Sequence, residues 1–455
     1  MFRWAPIVLV LAIFGAAAAS YHYDLGTRWL GAAPDVPLTR PAPAAPALAG
    51  PLPVRTVARP APAGQPAASA VRRVLAGPLA DPALAKIRAV VAPLAGPALL
   101  TQGSGPAMPA STLKLVTATA ALHVLGPDHT FATRVVRQGR SVTLVGGGDP
   151  FLSDRAAKVG TPSDASLQVL ARRTADRLKA AGLTRVDVGY DASLFSGPDL
   201  SPHWPAGYLT DQVVSRITAL WADEGVAADK SRRVDDPAAT AAADFASYLD
   251  ADGVRVAGSP RDRAAPRGAQ ELARVTSVPL SDIVERVLET SDNEGAEVLA
   301  RQVGLAVSGR GSFTAGVAGV RKTLGDLGIA LHGARWYDGS GLSRDDRLDP
   351  RTLVAVLQLA ASGDHPELRP VLTGLPVASF TGSLQDRFEQ TRGGGWVRAK
   401  TGTLRGTSAL AGLATDARGR LLVFAFVSNH VPDLGTLDAE AALDRLASAL
   451  ADCRC

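Results

Sequence analysis

Apolar residues recur at helical spacing through "LKLVTATAAL", residues 113–122, where Leu115, Ala118, Ala121 and Leu122 form one stripe. Such a stripe predicts a buried helix. The same periodicity predicts helices in "DPALAKIRAVVAPL", "ASLQVLARRTADRLKAAG", "DPAATAAADFASYLDADG", "SDIVERVLET", "GSFTAGVAGVRKTLGDLG" and "LDAEAALDRLASALAD". Strand patterns separate them. "FATRVVRQGRSVTLVGGGDPFL" reads as two strands joined by a Gln-Gly turn. "RVDVGYD" and "VRVAG" are single strands, and "WVRAKTGTL" with "SALAGLATDARGRLLVFAFVSNH" predicts hairpins turned at Arg-Gly. Hairpins at the C-terminal end favour an antiparallel sheet there.

Two stretches depart from this pattern. Residues 1–20 carry Arg3 and then an apolar run ending in small residues, the form of an export signal, either cut or kept as a membrane anchor. Residues 21–70 are dominated by Pro, Ala and Gly from about Asp35 and read as a tether that buries no core. Folded sequence is expected from Val71. A turn-rich region, 149–274, suggests domains inserted between two parts of a main domain, 71–148 and 275–455.

A chain of 455 residues, 46% hydrophobic, is long enough for more than one sizeable core. The net charge of +5 is mild and the arginines are scattered, which excludes a nucleic-acid footprint. The seven histidines form no H-E-x-x-H and no Cys/His cluster, so the sequence implies no metal and no cofactor. Cys453 and Cys455, one residue apart, are awkwardly spaced for a mutual disulfide and read as an unbridged tail.

Candidate chemistry begins with Ser111 and Lys114, three residues apart and so on one helical face. The ordinary reading is an N-cap beside a solvated lysine. Burial of the following stripe argues otherwise, because a desolvated ammonium loses its proton more readily and the neutral amine can then activate a hydroxyl. Lysine is also scarce: seven of the 48 basic residues. Two further motifs, Ser291-Asp292-Asn293 between helices and Lys400-Thr401-Gly402 on a strand, are each ordinary alone, as a cap and as a strand end. S-x-x-K, S-D-N and K-T-G in that order are the motif set of penicillin-binding proteins and serine β-lactamases.

With these motifs, and with "LGPDHTFATRVV", "GGGDP", "VTSVPLSDIVERVLETSDNEGAEVLAR", "YDGSGLSR" and "RAKTGTLRGTSALAG", the chain resembles the low-molecular-mass class C penicillin-binding proteins, D-alanyl-D-alanine carboxypeptidases and endopeptidases of the S13 peptidase type. The likeness runs from about Val71 to Ala451. The long separation of Ser111 from Ser291 is similar to that class, whereas an E-x-x-L-N of class A β-lactamases is missing after Asn293.

The resemblance implies an α+β fold, an antiparallel sheet flanked by helices plus a helical region, with an inserted domain. It implies hydrolysis of D-alanyl peptide bonds in peptidoglycan stem peptides through an acyl-enzyme, with β-lactams as acylating ligands. Ser111 would be the nucleophile and Lys114 its base; Ser291 would relay the proton, Asn293 would orient Lys114, and Asp292 would hold the loop. Lys400 and Thr401 would bind the substrate carboxylate, Gly402 would let substrate lie against the strand, and the Ser111 and Thr403 N–H groups would form the oxyanion hole. Ser340 in "YDGSGLSR" is read as part of a loop bordering the cleft. All three motifs lie outside 149–274, so that region is expected to be dispensable for acylation. The protein would be exported, touching membrane only through its N-terminus. Rival readings are a β-lactamase or esterase on the same scaffold, and a catalytically idle wall-binding protein.

Overall fold

In the C-terminal strands nearly every residue is buried, which a strand achieves only when both faces of its sheet are covered. The computed structural model describes residues 64–156, 165–389 and 391–455. Strands β1 (Lys86–Pro93), β2 (Leu100–Gln102), β9 (Val397–Leu404), β10 (Thr407–Thr415) and β11 (Leu421–Asn429) form an antiparallel sheet in the order β2-β1-β11-β10-β9. Successive side chains point to opposite faces. Leu422, Phe424 and Phe426 pack with helices α1 (Ala68–Leu75) and α9 (Thr436–Ala451), whereas Val423 and Ala425 pack with α2 (Lys114–Leu125) and α8 (Pro350–Ala361). The turn between β10 and β11 is closed by Gly419 at φ +81° and by the buried Asp416–Arg420 pair.

Residues 86–93, within a stretch expected to be helical, are strand β1. Val90 pairs with Ala425, and Ala89 and Val91 face one core while Val90 and Ala92 face the other. Sheet pairing overrides the helical reading of this Ala-rich run, whose β-branched Ile87, Val90 and Val91 suit a strand.

The C-terminal tail is also corrected. Cys453 and Cys455 are joined by a disulfide with Cα atoms 5.1 Å apart, inside the range such a bond spans. Both are buried in the core between α1 and α9, and the Cys455 carbonyl accepts from Ala67 N–H at 2.9 Å. The chain turns back at Arg454, which brings the two Cα atoms within reach.

A second, mixed sheet contains β3 (Ala132–Gln138), β4 (Ser141–Val145), β5 (Arg185–Asp191), β6 (Arg255–Val256) and β8 (Gln270–Thr276) in the order β6-β5-β4-β3-β8, with β7 (Arg261–Asp262) paired to β5. Helices α3 (Leu167–Ala180) and α4 (Pro237–Ala251) share its core. Strands β3 and β4 precede residue 149 yet belong to this sheet. Helices α5 (Leu280–Thr290), α6 (Asn293–Ser308) and α7 (Phe313–Asp326) then enclose α2, whose residues 114–122 are all buried. Burial all round explains why α2 has small and apolar residues on every side. The N-terminal apolar segment and most of the Pro-rich stretch lie outside the described residues; among those described, no helix is long and apolar enough to cross a membrane.

Candidate active site

Ser111 sits in a 3-10 turn, Ala110–Leu113, that leads directly into α2, with Lys114 as the helix's first residue. Ala110 adopts a left-handed φ of +48°. Two glycines let other segments approach this turn. A Cβ on Gly341 would stand 2.0 Å from the Ala110 carbonyl oxygen, and one on Gly402 would stand 2.8 Å from that of Pro109. The close neighbour of Gly402 is therefore the backbone of the Ser111 turn, a different reason for glycine from substrate access along the strand.

The Lys114 side chain is fully buried. Its Nζ donates to Ser111 Oγ at 2.9 Å, Asn293 Oδ1 at 2.8 Å and the Ser340 carbonyl at 2.9 Å. Burial lowers the amine's pKa from 10.5 to about 8, while the carboxylates of Asp292, Glu297, Asp338 and Glu294 oppose a larger fall. An amine poised there can exist as a neutral base near neutral pH.

The S-D-N segment is a helix-to-helix corner. Ser291 closes α5 in the left-handed region at φ +62°, Asp292 caps α6 by accepting from Gly295 N–H at 2.9 Å, and Asn293 begins α6. The Asn293 amide spans two regions: Oδ1 receives Lys114, and Nδ2 donates to the Val213 carbonyl at 3.0 Å. No hydrogen bond from the Ser291 hydroxyl is found among the described residues. Glu224 lies against Asp292, and burial together with that carboxylate holds its own carboxyl well above the ordinary range. Ser215 N–H donates to Glu294 at 3.0 Å, and Arg233 pairs with Glu294 at 2.9 Å. Region 149–274 thus contacts all three residues 292–294.

Lys400, Thr401, Gly402 and Thr403 lie on β9, the edge strand, opposite Ala411, Leu410, Ala409 and Ser408. Lys400 is fully buried and donates to the Thr401 carbonyl at 3.0 Å; burial first, and the nearby positive charge of Lys114 second, hold its pKa well below the usual value. Thr401 Oγ1 shares a hydrogen bond with Ser383 Oγ at 2.8 Å, and Thr403 Oγ1 donates to Glu440 Oε1 at 2.7 Å.

Sequence reasoning missed the group that aims the Ser340 carbonyl. Glu297 is buried and accepts from the N–H groups of Gly339 at 2.9 Å and Ser340 at 2.8 Å. Burial and the Asp338 charge raise its carboxyl to about 8, against the pull of those hydrogen bonds. Asp338 accepts from Gly341 N–H, Ser343 N–H and Trp204 Nε1. A signal existed: Glu297 follows Asn293 by four residues on one helix, hence on the same face. Ser340 contributes its carbonyl to the cleft.

A buried lysine bonded to a serine hydroxyl, an amide and a carbonyl, beside a second lysine on a sheet edge, defines a serine acyl-transfer site. The D-Ala-D-Ala carboxypeptidase 3 (S13) family matches residues 71–230 and 226–450. The chain is 38% identical over 406 residues to a carboxypeptidase of Mycobacterium tuberculosis, covering 86% of each. It is 36% identical to carboxypeptidase DacB of Mycolicibacterium smegmatis, covering 99% of this chain and 96% of that one. In fold it is similar to penicillin binding protein 4 (dacB) of Haemophilus influenzae, with TM-score 0.68, 23% identity, and coverage of 84% of this chain and 98% of that one. The chain belongs to the S13 family of D-Ala-D-Ala carboxypeptidases. It is a serine-type D-Ala-D-Ala carboxypeptidase acting on peptidoglycan, with an α+β fold of the penicillin-binding type, and it works outside the cytoplasm.

Proposed function

We propose that Ser111 is the nucleophile and Lys114 the general base of this D-alanyl hydrolase. The observation that carries the reading is the 2.9 Å contact from a fully buried Lys114 amine to Ser111 Oγ. Neutral Lys114 takes the Ser111 proton as Oγ attacks the penultimate D-alanine carbonyl; the N–H groups of Ser111 and Thr403 stabilise the oxyanion. Collapse expels D-alanine, whose nitrogen takes the proton from Lys114 by way of the Ser291 hydroxyl. Water then releases the acyl group. Asn293 holds the Lys114 amine, Asp292 holds the corner that carries Asn293, and Gly402 keeps β9 close to the nucleophile turn. Lys400 and Thr401 receive the terminal carboxylate. Stem peptides are the substrates, and β-lactams acylate the same serine.

Residues from β3 to β8, about 132–276, form the inserted region, a wider boundary than 149–274, supported by the shared second sheet. The N-terminal segment exports the chain, and the Pro-rich stretch sets the enzyme at a distance from the membrane. The decisive experiment is covalent labelling by a fluorescent penicillin. Labelling maps to Ser111 and disappears in Ser111→Ala with the circular dichroism spectrum unchanged; labelling that survives the substitution overturns the assignment. Mass spectrometry of muropeptides then separates loss of terminal D-alanine from opened cross-links.

A further inference from the structure

At the end of α2 remote from Lys114, His123 meets His365 and Glu367, which lie in the short turn after α8. The donor atoms of the three side chains all fall within 4.8 Å of one another. Glu367 Oε1 stands 3.4 Å from His123 Nδ1 and 3.0 Å from His365 Nδ1. The imidazole centroids are 6.0 Å apart with ring planes at 68°, so the rings meet edge-on and are not stacked. We propose that His123, His365 and Glu367 form a zinc site that fastens the C-terminal end of α2 to the turn following α8.

The distances suit that ion. Ligands about 2.0–2.2 Å from a tetrahedral zinc stand roughly 3.4 Å apart; one nitrogen-to-oxygen separation equals this at 3.4 Å and the other, 3.0 Å, is slightly shorter. Two imidazoles with one carboxylate favour zinc over calcium or magnesium, which prefer oxygen ligands throughout. The side chains keep 35%, 28% and 26% of their surface exposed, which leaves the fourth position open to water and the ion a path of entry. His123 lies nine residues beyond Lys114 on α2, about 14 Å along the axis at ~1.5 Å per residue, so the ion holds structure and takes no part at Ser111. It would stiffen the far end of the helix whose near end carries the base.

The test titrates chelator-stripped full chain with zinc chloride alone, by calorimetry and by thermal unfolding. One equivalent binds and raises the unfolding midpoint, as any ligand of the native state does. His365→Ala and Glu367→Gln each weaken binding by at least about tenfold. Glu367→Gln keeps the side chain's shape and guards against a failure to fold. No saturable binding, or undiminished affinity in the variants, overturns the proposal and leaves Glu367 as a hydrogen-bond acceptor between two imidazoles.

Discussion

The helix end that carries Lys114 and the sheet edge that carries Lys400 each bury a lysine completely, yet they surround it differently. Lys114 donates to three oxygens and feels four carboxylates. Lys400 has the Thr401 carbonyl at 3.0 Å, a longer contact of 3.5 Å to Thr401 Oγ1, and a like charge nearby. Burial lowers both amines. At Lys114 the carboxylates limit the fall to about 8, which suits a group that must both lose and regain a proton. At Lys400 the effect of burial is joined by the positive charge of Lys114, which lowers the amine further. Desolvation offset by fixed carboxylates leaves an amine able to exchange a proton near neutral pH, whereas desolvation joined by a like charge favours the neutral amine more strongly.

Exchanging each lysine for arginine breaks or sharpens this contrast most strongly. Arginine keeps the charge but stays protonated, so Lys114→Arg is expected to slow penicillin acylation by about two to four orders of magnitude or more. Lys400→Arg loses less, because the charge it supplies is retained. Equal mild losses in the two variants would remove the distinction.

A smaller effect is expected from excising residues 149–274. The sequence alone makes this region dispensable, since no motif lies within it. Its Val213 carbonyl, Ser215 N–H and Glu224 nevertheless touch the corner that holds Asn293. A buried donor left unpaired costs about 1–3 kcal/mol, so the trimmed protein should still be acylated, but roughly tenfold or more slowly. Stopped-flow acylation of a folded trimmed chain checks this, and an unchanged rate would show that α5 and α6 hold the corner unaided.

The smallest effect concerns pH. Only neutral Lys114 accepts a proton, so acylation should rise as pH increases through about 8 and level off above it. Glu297 is among the groups that raise the Lys114 pKa, so Glu297→Gln should move that limb to lower pH. A limb that stays in place or moves to higher pH in this variant would show that Glu297 acts on the Ser340 loop alone.

Much of the site was legible before folding. Ser111, Lys114, the S-D-N corner and the K-T-G strand are local patterns whose residue types are set by their chemistry, and helical and strand periodicity placed them on the correct elements. Other features depended on partners distant in sequence. β1 reads as helix until β11 is beside it, because short apolar runs carry either periodicity and pairing decides between them. Cys453 and Cys455 read as a loose tail until the turn at Arg454 and the core beneath α9 bring them together. Glu297, Val213 and Glu224 bear no motif, and each acts through a backbone or side chain some forty to eighty residues away. His123 likewise has no local relation to His365 and Glu367. The sequence by itself determined the residue types of the three motifs and their order along the chain, and with them the family to which the chain belongs. Only the tertiary structure decided how strongly each is desolvated and which carboxylates surround it, because burial and Coulomb interactions depend on distance in space, and so only the fold sets the two lysines apart.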